Sequence, residues 1–326
     1  MRILVTGAAG FLGRALTDDL RAAGYQLRAL ARTESALLQG NRVDVIIGDV
    51  RDPRAARSAV AGCTGIVHLA GKAHAIDDLG VTAADYQSVN VEGTRLLLEE
   101  AKAAGVEKFL FASSVKVFGE TTVGPVDEAA PLSPATPYAR SKSSAEQLVA
   151  SFASGAMATV SLRLPLVYGP TEKGNLFRMI AAIDRKRFPP MPRTTAVRSM
   201  LHVKNFALAV RAALGARAYP KPAYVIADAR PYAISEIYDL LRAGLGKAPP
   251  MCRIPYWVLS CGAVAGDLLQ GLIRRPVPIS SSVLQKLMGQ AWYSPEAAMR
   301  DLQYRPIHTF EQAVPELIQH YRRSGL

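Results

Sequence analysis

A chain of 326 residues, 49% hydrophobic and 20% charged, is neither disordered nor fibrous and can bury a large core unaided. The 39 Lys and Arg against 27 Asp and Glu leave a formal net charge of +12, which favours anionic partners. The basic residues are scattered in small groups such as 185–187 and 322–323 without interleaved aromatics, so nucleic acid is not an expected partner.

The chain begins MRILVTGAAG, a short β-rich run leading straight into glycines with no basic leader or apolar signal core ahead of it, so export is not expected. Cys63, Cys252 and Cys261 lie far apart without a paired motif, which argues against a zinc site and a secreted disulfide framework and suits the reducing cytoplasm. Strands are expected at Ile3–Val5, Leu27–Leu30, Val43–Ile47, Ile66–Leu69, Phe109–Ala112 and Val160–Arg163, with helices near 11–23, 54–61, 83–104 and 137–153 between them. Asp52-Pro53 is a helix start signal. This alternation predicts an α/β fold with a Rossmann-like, doubly wound parallel sheet.

After Arg163 the alternation weakens and proline becomes frequent, as in LPLVYGP at 164–170 and FPPMPR at 188–193. A strand-like YVIAD at 224–228, followed by the helix-like ISEIYDLLRAGLG, returns the chain to the sheet. The expected division is therefore residues 1–165 plus 202–228 as a dinucleotide-binding domain. Residues 166–201 and 229–326 form a smaller C-terminal α/β cap over the carboxyl ends of the strands, where such sheets bind ligands. The longest apolar run, 256–273, is interrupted by Asp267 and Gln270 and followed by Arg274 and Arg275. It is marginal against the ~20 apolar residues needed to cross a bilayer, so a packed or interfacial helix is expected, and contact with a membrane surface is the less favoured reading.

In TGAAGFLG, residues 6–13, Gly7, Gly10 and Gly13 follow the first strand at three-residue spacing. Glycines there let the backbone turn, approach a pyrophosphate and pack the helix against the sheet, while the helix start supplies N–H donors. The second strand ends LRALARTES, with Arg32 near the place where an NAD-selective site carries an acid. An arginine accepts the 2′-phosphate of NADP, so NADP(H) is favoured over NAD(H), although a surface role for Arg32 stays open. Asp49, after the third strand, is either an adenine neighbour or a loop-forming Asp. Tyr138 and Lys142 in YARSK are four apart and share a helix face. A phenol titrating near ~10 needs a nearby ammonium to reach the neutral range, so the pair reads as a proton donor and its tuner.

TGAAGFLG, HLAG at 68–71, NVEGT at 90–94, SSVKVFG at 113–119, YARSK and RSMLHV together resemble the extended short-chain dehydrogenase/reductase superfamily, in its NAD-dependent epimerase/dehydratase branch. Counting back from Gly119, the resemblance places the catalytic serine at Ser114, with Phe118 in place of the usual tyrosine of that turn, and makes Tyr138 the acid/base and Lys142 its partner. It assigns cofactor contacts to Gly7, Gly10, Phe11, Leu12, Gly13, Arg32, Asp49, Val50, Leu69, Ala70, Gly71, Asn90, Tyr138, Lys142 and Pro165. Substrate contacts fall to Ser114, Lys116, Asn175 and Arg198, with Arg198 clamping a diphosphate unless it only pairs on the surface and Asn175 touching phosphate or sugar unless it only caps a helix. Leu166 stands where many 4-epimerases carry Asn, and Val115 and Lys116 stand where 4,6-dehydratases carry an Asp-Glu pair, which disfavours dehydration.

GKAHAI at 71–76, SSVKVFGE and RLPLVYGPTEKGN are most similar to bacterial 4-keto-reductases that make UDP-N-acetylquinovosamine or its epimer for O-antigen. The implied function is NADPH-dependent reduction of the C4 ketone of a UDP-4-keto-6-deoxy-N-acetylhexosamine. An NAD-dependent UDP-sugar 4-epimerase is the alternative, and a non-catalytic dinucleotide sensor the minor one. The resemblance also implies a cytoplasmic homodimer joined through helices 83–104 and 137–153, and no metal.

Overall fold

Near-continuous apolar strands are those buried on both faces, and such strands need helices on each side. The computed structural model describes residues 1–33, 43–73, 81–172, 174–273 and 280–325. In chain order it runs β1 (Arg2–Thr6), α1 (Phe11–Ala22), β2 (Gln26–Ala31), β3 (Asp44–Ile47), α2 (Pro53–Val60), β4 (Gly65–His68) and α3 (Ala83–Tyr86). A π-helical segment (Gln87–Glu92) then joins α3 to α4 (Gly93–Ala103), and β5 (Lys108–Ser114) leads into a 3-10 turn (Val115–Phe118). Next come β6 (Pro125–Val126), α5 (Pro137–Ser151), β7 (Ala158–Leu164), β8 (Leu166–Tyr168), α6 (Asn175–Asp184), β9 (Val197–Arg198), β10 (Met200–His202) and α7 (Val203–Gly215). The rest is β11 (Ala223–Val225), β12 (Tyr232–Ala233), α8 (Ile234–Gly244), α9 (Tyr256–Ile273), α10 (Ser281–Met288), β13 (Trp292–Tyr293), α11 (Glu296–Asp301) and α12 (Phe310–Arg323).

Seven strands form one parallel sheet in the order β11-β7-β5-β4-β1-β2-β3. Leu16 and Leu20 of α1 and Phe206 and Val210 of α7 bury against one face, and Ala56 of α2, Leu97 of α4 and Val149 of α5 against the other. The sheet is doubly wound, as expected, and β11 is the predicted return of the chain. Ala297, Ala298, Leu302 and Tyr304, from α11 and the turn after it, join the sheet core. A separate core gathers Tyr168, Phe177, Ile180, Tyr238, Leu241, Phe310 and Leu317 from β8, α6, α8 and α12.

A buried polar knot ties the two together. The Asp228 carboxylate accepts from the Tyr168 hydroxyl (2.7 Å), the His202 amide (2.9 Å) and Asn205 Nδ2 (2.7 Å), while Asn205 Oδ1 accepts from the amides of Ile307 and His308. Burial raises the Asp228 carboxyl to about 6, and these three donors oppose the rise.

One expectation is corrected. The single helix expected over 83–104 carries π-type pairing at its middle, which adds a residue to one turn. The apolar run 256–273 forms a helix, as expected, that packs through Leu259 and Ala263 only: Trp257 is 68% exposed, Leu268 is 73% exposed, and only Ala263 of its described side chains is buried. Among the described residues no helix is long and apolar enough to cross a membrane. Arg274 and Arg275 lie outside the described residues, as do His74–Ile76 of GKAHAI and Lys173 of the TEKGN stretch.

Candidate active site

The glycine turn follows β1 directly. Gly7 takes a left-handed φ of +69°, and a Cβ there would come within 2.9 Å of the Ala70 nitrogen after β4. A Cβ on Gly13 would lie 2.3 Å from the Gly7 carbonyl, so α1 rests on the turn with no room between them. Gly10 caps α1 without a side-chain bond, and its own N–H closes the turn on the Gly7 carbonyl at 2.9 Å. The first backbone N–H groups of α1 therefore receive no side-chain cap, which is the form of a diphosphate cradle. Leu12 packs on the sheet core, the Phe11 ring reaches towards Gly169, and Pro165 is buried between β7 and β8.

Beside this turn runs a continuous chain of buried polar groups. The Ala70 amide donates to Thr6 Oγ1 (3.0 Å), and Thr6 Oγ1 meets His68 Nδ1 (2.7 Å). His68 Nε2 meets Thr94 Oγ1 (3.0 Å), and that hydroxyl donates to the Asn90 carbonyl (2.7 Å). Only one tautomer satisfies both ends: Thr6 donates to Nδ1, and Nε2–H donates to Thr94. Burial, with the Lys142 charge, lowers His68 to about 3, so it is neutral throughout the physiological range. The π segment turns the Asn90 side chain to the Lys72 backbone (2.7 and 3.1 Å) and to Ser141 Oγ (3.0 Å), linking the ends of β1 and β4 to α5. Thr6, His68, Thr94 and Ser141 were not singled out as site residues. For Thr6 and His68 the available signal was a polar residue closing an apolar run, ILVT and GIVH.

Ser114 ends β5, caps the 3-10 turn through the Lys116 amide (3.3 Å) and hydrogen-bonds Tyr138. Thr136 caps α5 and Pro137 occupies its first turn, which fixes where Tyr138 and Lys142 emerge. The structure thus brings Ser114, Tyr138, Lys142, Asn90 and Gly71 together; a Cβ on Gly71 would sit 3.0 Å from Asn90 Oδ1 and 3.4 Å from Lys142 Nζ.

The tuning of Tyr138 departs from expectation. Burial raises its phenol, and the Ser114 bond only partly offsets this; the Tyr86 ring, edge-on at 5.9 Å, adds to the rise. Lys142 Nζ donates instead to the Ala112 carbonyl (2.8 Å) and lies 4.5 Å from the Phe111 ring centre. Its own pKa is lowered to about 8 by burial, with Glu146 opposing the shift. Glu146 is in turn held by a buried pair to Arg163 (2.8 Å), whose guanidinium lies 4.8 Å from the Phe118 ring centre. Phe118 also stacks on Tyr293, so the residue that replaces tyrosine in this turn packs between a cation and a ring.

At the ends of β2 and β3, Arg51 wraps Asp49 with bonds from its amide (2.9 Å), Nε (2.8 Å) and Nη2 (2.9 Å), and this pairing lowers the Asp49 carboxyl with help from the nearby Arg32 charge. Arg32 is exposed. Arg51 is a second cation here that sequence reading passed over. The Val50 side chain is buried against Gly93.

The expected substrate residues divide into two places. Lys116 pairs with Glu120 (2.8 Å), and Glu120 also acts on Arg198, which is half-buried, lowered by burial, and bonded through Nη2 to the Gly289 carbonyl (3.1 Å). Asn175 instead opens α6 at an exposed position, after a Gly174 that provides the cap, in a recess with Leu166, Tyr168, Thr171 and His320.

These features coincide with known proteins. Residues 3–227 match the family model described as NAD dependent epimerase/dehydratase family, and the chain belongs to that family. It is 30% identical to a 2-alkyl-3-oxoalkanoate reductase of Stenotrophomonas maltophilia, over 97% of this chain and 98% of the relative. An N-acetyl-alpha-D-glucosaminyl-diphospho-ditrans,octacis-undecaprenol 4-epimerase of Escherichia coli O157:H7 is 28% identical over 87% of this chain and 84% of its own. The UDP-glucose 4-epimerase of Thermus thermophilus, solved in complex with NAD, superimposes with a TM-score of 0.73 at 25% identity, covering 99% of each chain. The protein is accordingly an enzyme using a nicotinamide dinucleotide, of the epimerase and ketoreductase kind.

Proposed function

We propose that the enzyme reduces the C4 ketone of a UDP-4-keto-6-deoxy-N-acetylhexosamine with NADPH, as a step in polysaccharide precursor synthesis in the cytoplasm. The observation that carries the reading is the meeting of Ser114, Tyr138 and Lys142 beside a glycine turn closed against β4. The cradle suits a dinucleotide. Gly7, Gly10, Phe11, Leu12 and Gly13 would hold the diphosphate, Asp49 and Val50 the adenine side, and Leu69, Ala70, Gly71, Asn90 and Pro165 the nicotinamide half, with Tyr138 and Lys142 at its ribose. NADPH, when bound, supplies the hydride.

The remaining chemistry belongs to the chain. Ser114 donates to the ketone oxygen and orients it. Tyr138 gives its proton to that oxygen as negative charge develops, and a raised phenol is a proton donor at neutral pH. Lys142, charged below about 8, stabilises the phenolate left behind. Lys116 and Arg198 would meet the UDP diphosphate and Asn175 the sugar; bidentate Arg–phosphate pairing suits Arg198. Arg32, reinforced by Arg51, favours the 2′-phosphate of NADP. We also infer a homodimer joined through α3–α4 and α5, checked by light scattering.

The alternative is a UDP-sugar 4-epimerase with tightly held NAD, in keeping with the epimerases among the relatives; Leu166 in place of the usual asparagine weighs against it. The deciding experiment follows nicotinamide absorbance after a dehydratase-generated UDP-4-keto sugar is added with NADPH or with NADH. Stoichiometric NADPH loss, abolished by Tyr138→Phe, supports the reductase. No consumption, with NAD released on denaturation and UDP-hexoses equilibrated, replaces it with the epimerase.

A further inference from the structure

Among the described residues, α9 carries the densest group of exposed large hydrophobic side chains. It anchors through one narrow stripe, where Leu259 packs on the second core and Ala263 is buried. Two of its polar side chains are engaged within the fold: Ser260 Oγ donates to the Tyr256 carbonyl (3.0 Å), and Asp267 Oδ1 accepts from the Ser281 amide at the head of α10 (3.0 Å). Apart from Asp267 and Gln270, what remains outward is largely apolar. Tyr256, Trp257, Val258, Val264, Leu268 and Leu269 are all exposed, and all of them but Tyr256 recur at helical spacing on the side away from Leu259 and Ala263. The largest exposed patches on soluble proteins mark interaction sites.

The surroundings select the partner. Over its 18 described residues the helix is not long and apolar enough to cross a bilayer. The segment leading into it is bonded to the strap after α6: the Ile254 amide donates to the Pro190 carbonyl (3.1 Å) and Arg253 Nη1 to the Met191 carbonyl (2.9 Å). That strap carries the exposed cations Arg185, Lys186, Arg187 and Arg193. Two aromatic residues at one end of an apolar helix, with a basic run beside them on a protein of net charge +12, is the composition that enters the headgroup region of an anionic membrane.

We propose that α9 docks the enzyme on an anionic lipid bilayer, its apolar stripe in the interface and the 185–193 strap against the headgroups. A second copy of the chain would gain nothing from this basic strap, which would face another of the same sign. The docking stands apart from the choice of sugar, since activity on a water-soluble substrate is measured without vesicles.

The test is co-sedimentation of the full chain with vesicles of phosphatidylglycerol in phosphatidylcholine and with vesicles of phosphatidylcholine alone. Pelleting with the first and much less with the second is expected, weakening as salt rises. Each basic side chain at such a surface is worth about fivefold in partitioning, so R185E/K186E/R187E should lower it roughly a hundredfold or more. Trp257→Ser with Leu268→Ser should also lower binding, while NADPH consumption and far-UV dichroism stay at wild-type values and exclude misfolding. Absence of pelleting by the wild-type chain overturns the proposal. So does a fall in oligomer size caused by the Trp257/Leu268 pair with vesicle binding unchanged, which would assign α9 to a second copy.

Discussion

Around the ends of β1 and β4, Thr6, His68, Thr94 and Asn90 are buried, uncharged and mutually bonded, and the glycines beside them have no free space. Around the 3-10 turn and β9, Lys116, Glu120 and Arg198 are charged, in part solvent-facing, and held by long side chains. The first arrangement tolerates one geometry and suits a ligand that never varies. The second can be re-aimed by single substitutions, as suits the part of a site that distinguishes one substrate from another.

The comparison can be broken in order of effect. Tyr138→Phe removes the proton donor and should lower kcat by about 10²- to 10⁴-fold with NADPH binding intact, as read by turnover and by cofactor titration. Gly13→Ala forces a Cβ into the turn backbone and should cost about 1–3 kcal/mol in urea unfolding, with cofactor affinity falling alongside. His68→Ala strands Thr6 and Thr94 and should cost about 2 kcal/mol. His68 also gives a pH signature. Its folded pKa of about 3 lies below the unfolded value of 6.5, so the unfolded chain binds the extra proton, and stability falls as pH drops below about 6.5. In the His68→Ala protein that slope should flatten, measured as Tm against pH.

The smaller effects sharpen the contrast. Arg32→Ala with Arg51→Ala should raise the KM for NADPH about tenfold and leave that for NADH nearly unchanged. Arg198→Lys should raise the KM for the nucleotide-sugar by a similar factor without touching the NADPH value. Last, kcat should decline above pH about 8 as Lys142 loses its proton, and a profile flat to pH 10 would remove the ammonium from the reaction.

Sheet, glycine turn and YARSK helix were legible because each is written locally: β-branched runs between turn signals, glycines at fixed spacing, two side chains four apart. What escaped was set by distant partners. Lys142 turns to the Ala112 carbonyl, a bond across 30 positions that no spacing reveals. Arg51 read as an ordinary loop residue because its meaning depends on Asp49 and Arg32 meeting at the ends of two strands. The exposure of α9 was hidden because an apolar helix that packs and one that faces outward have the same composition.

The π segment has a bearing on descent. Residues along a regular helix advance by about 100° each, so removing one residue from Gln87–Glu92 would swing Asn90 away from Ser141 and bring a neighbour into its place. A lineage that carries this extra residue cannot lose it by a single deletion and keep the same contact. The widened turn thus makes chain length part of the contact: relatives that keep the Asn90–Ser141 bond should seldom differ in residue count across Gln87–Glu92.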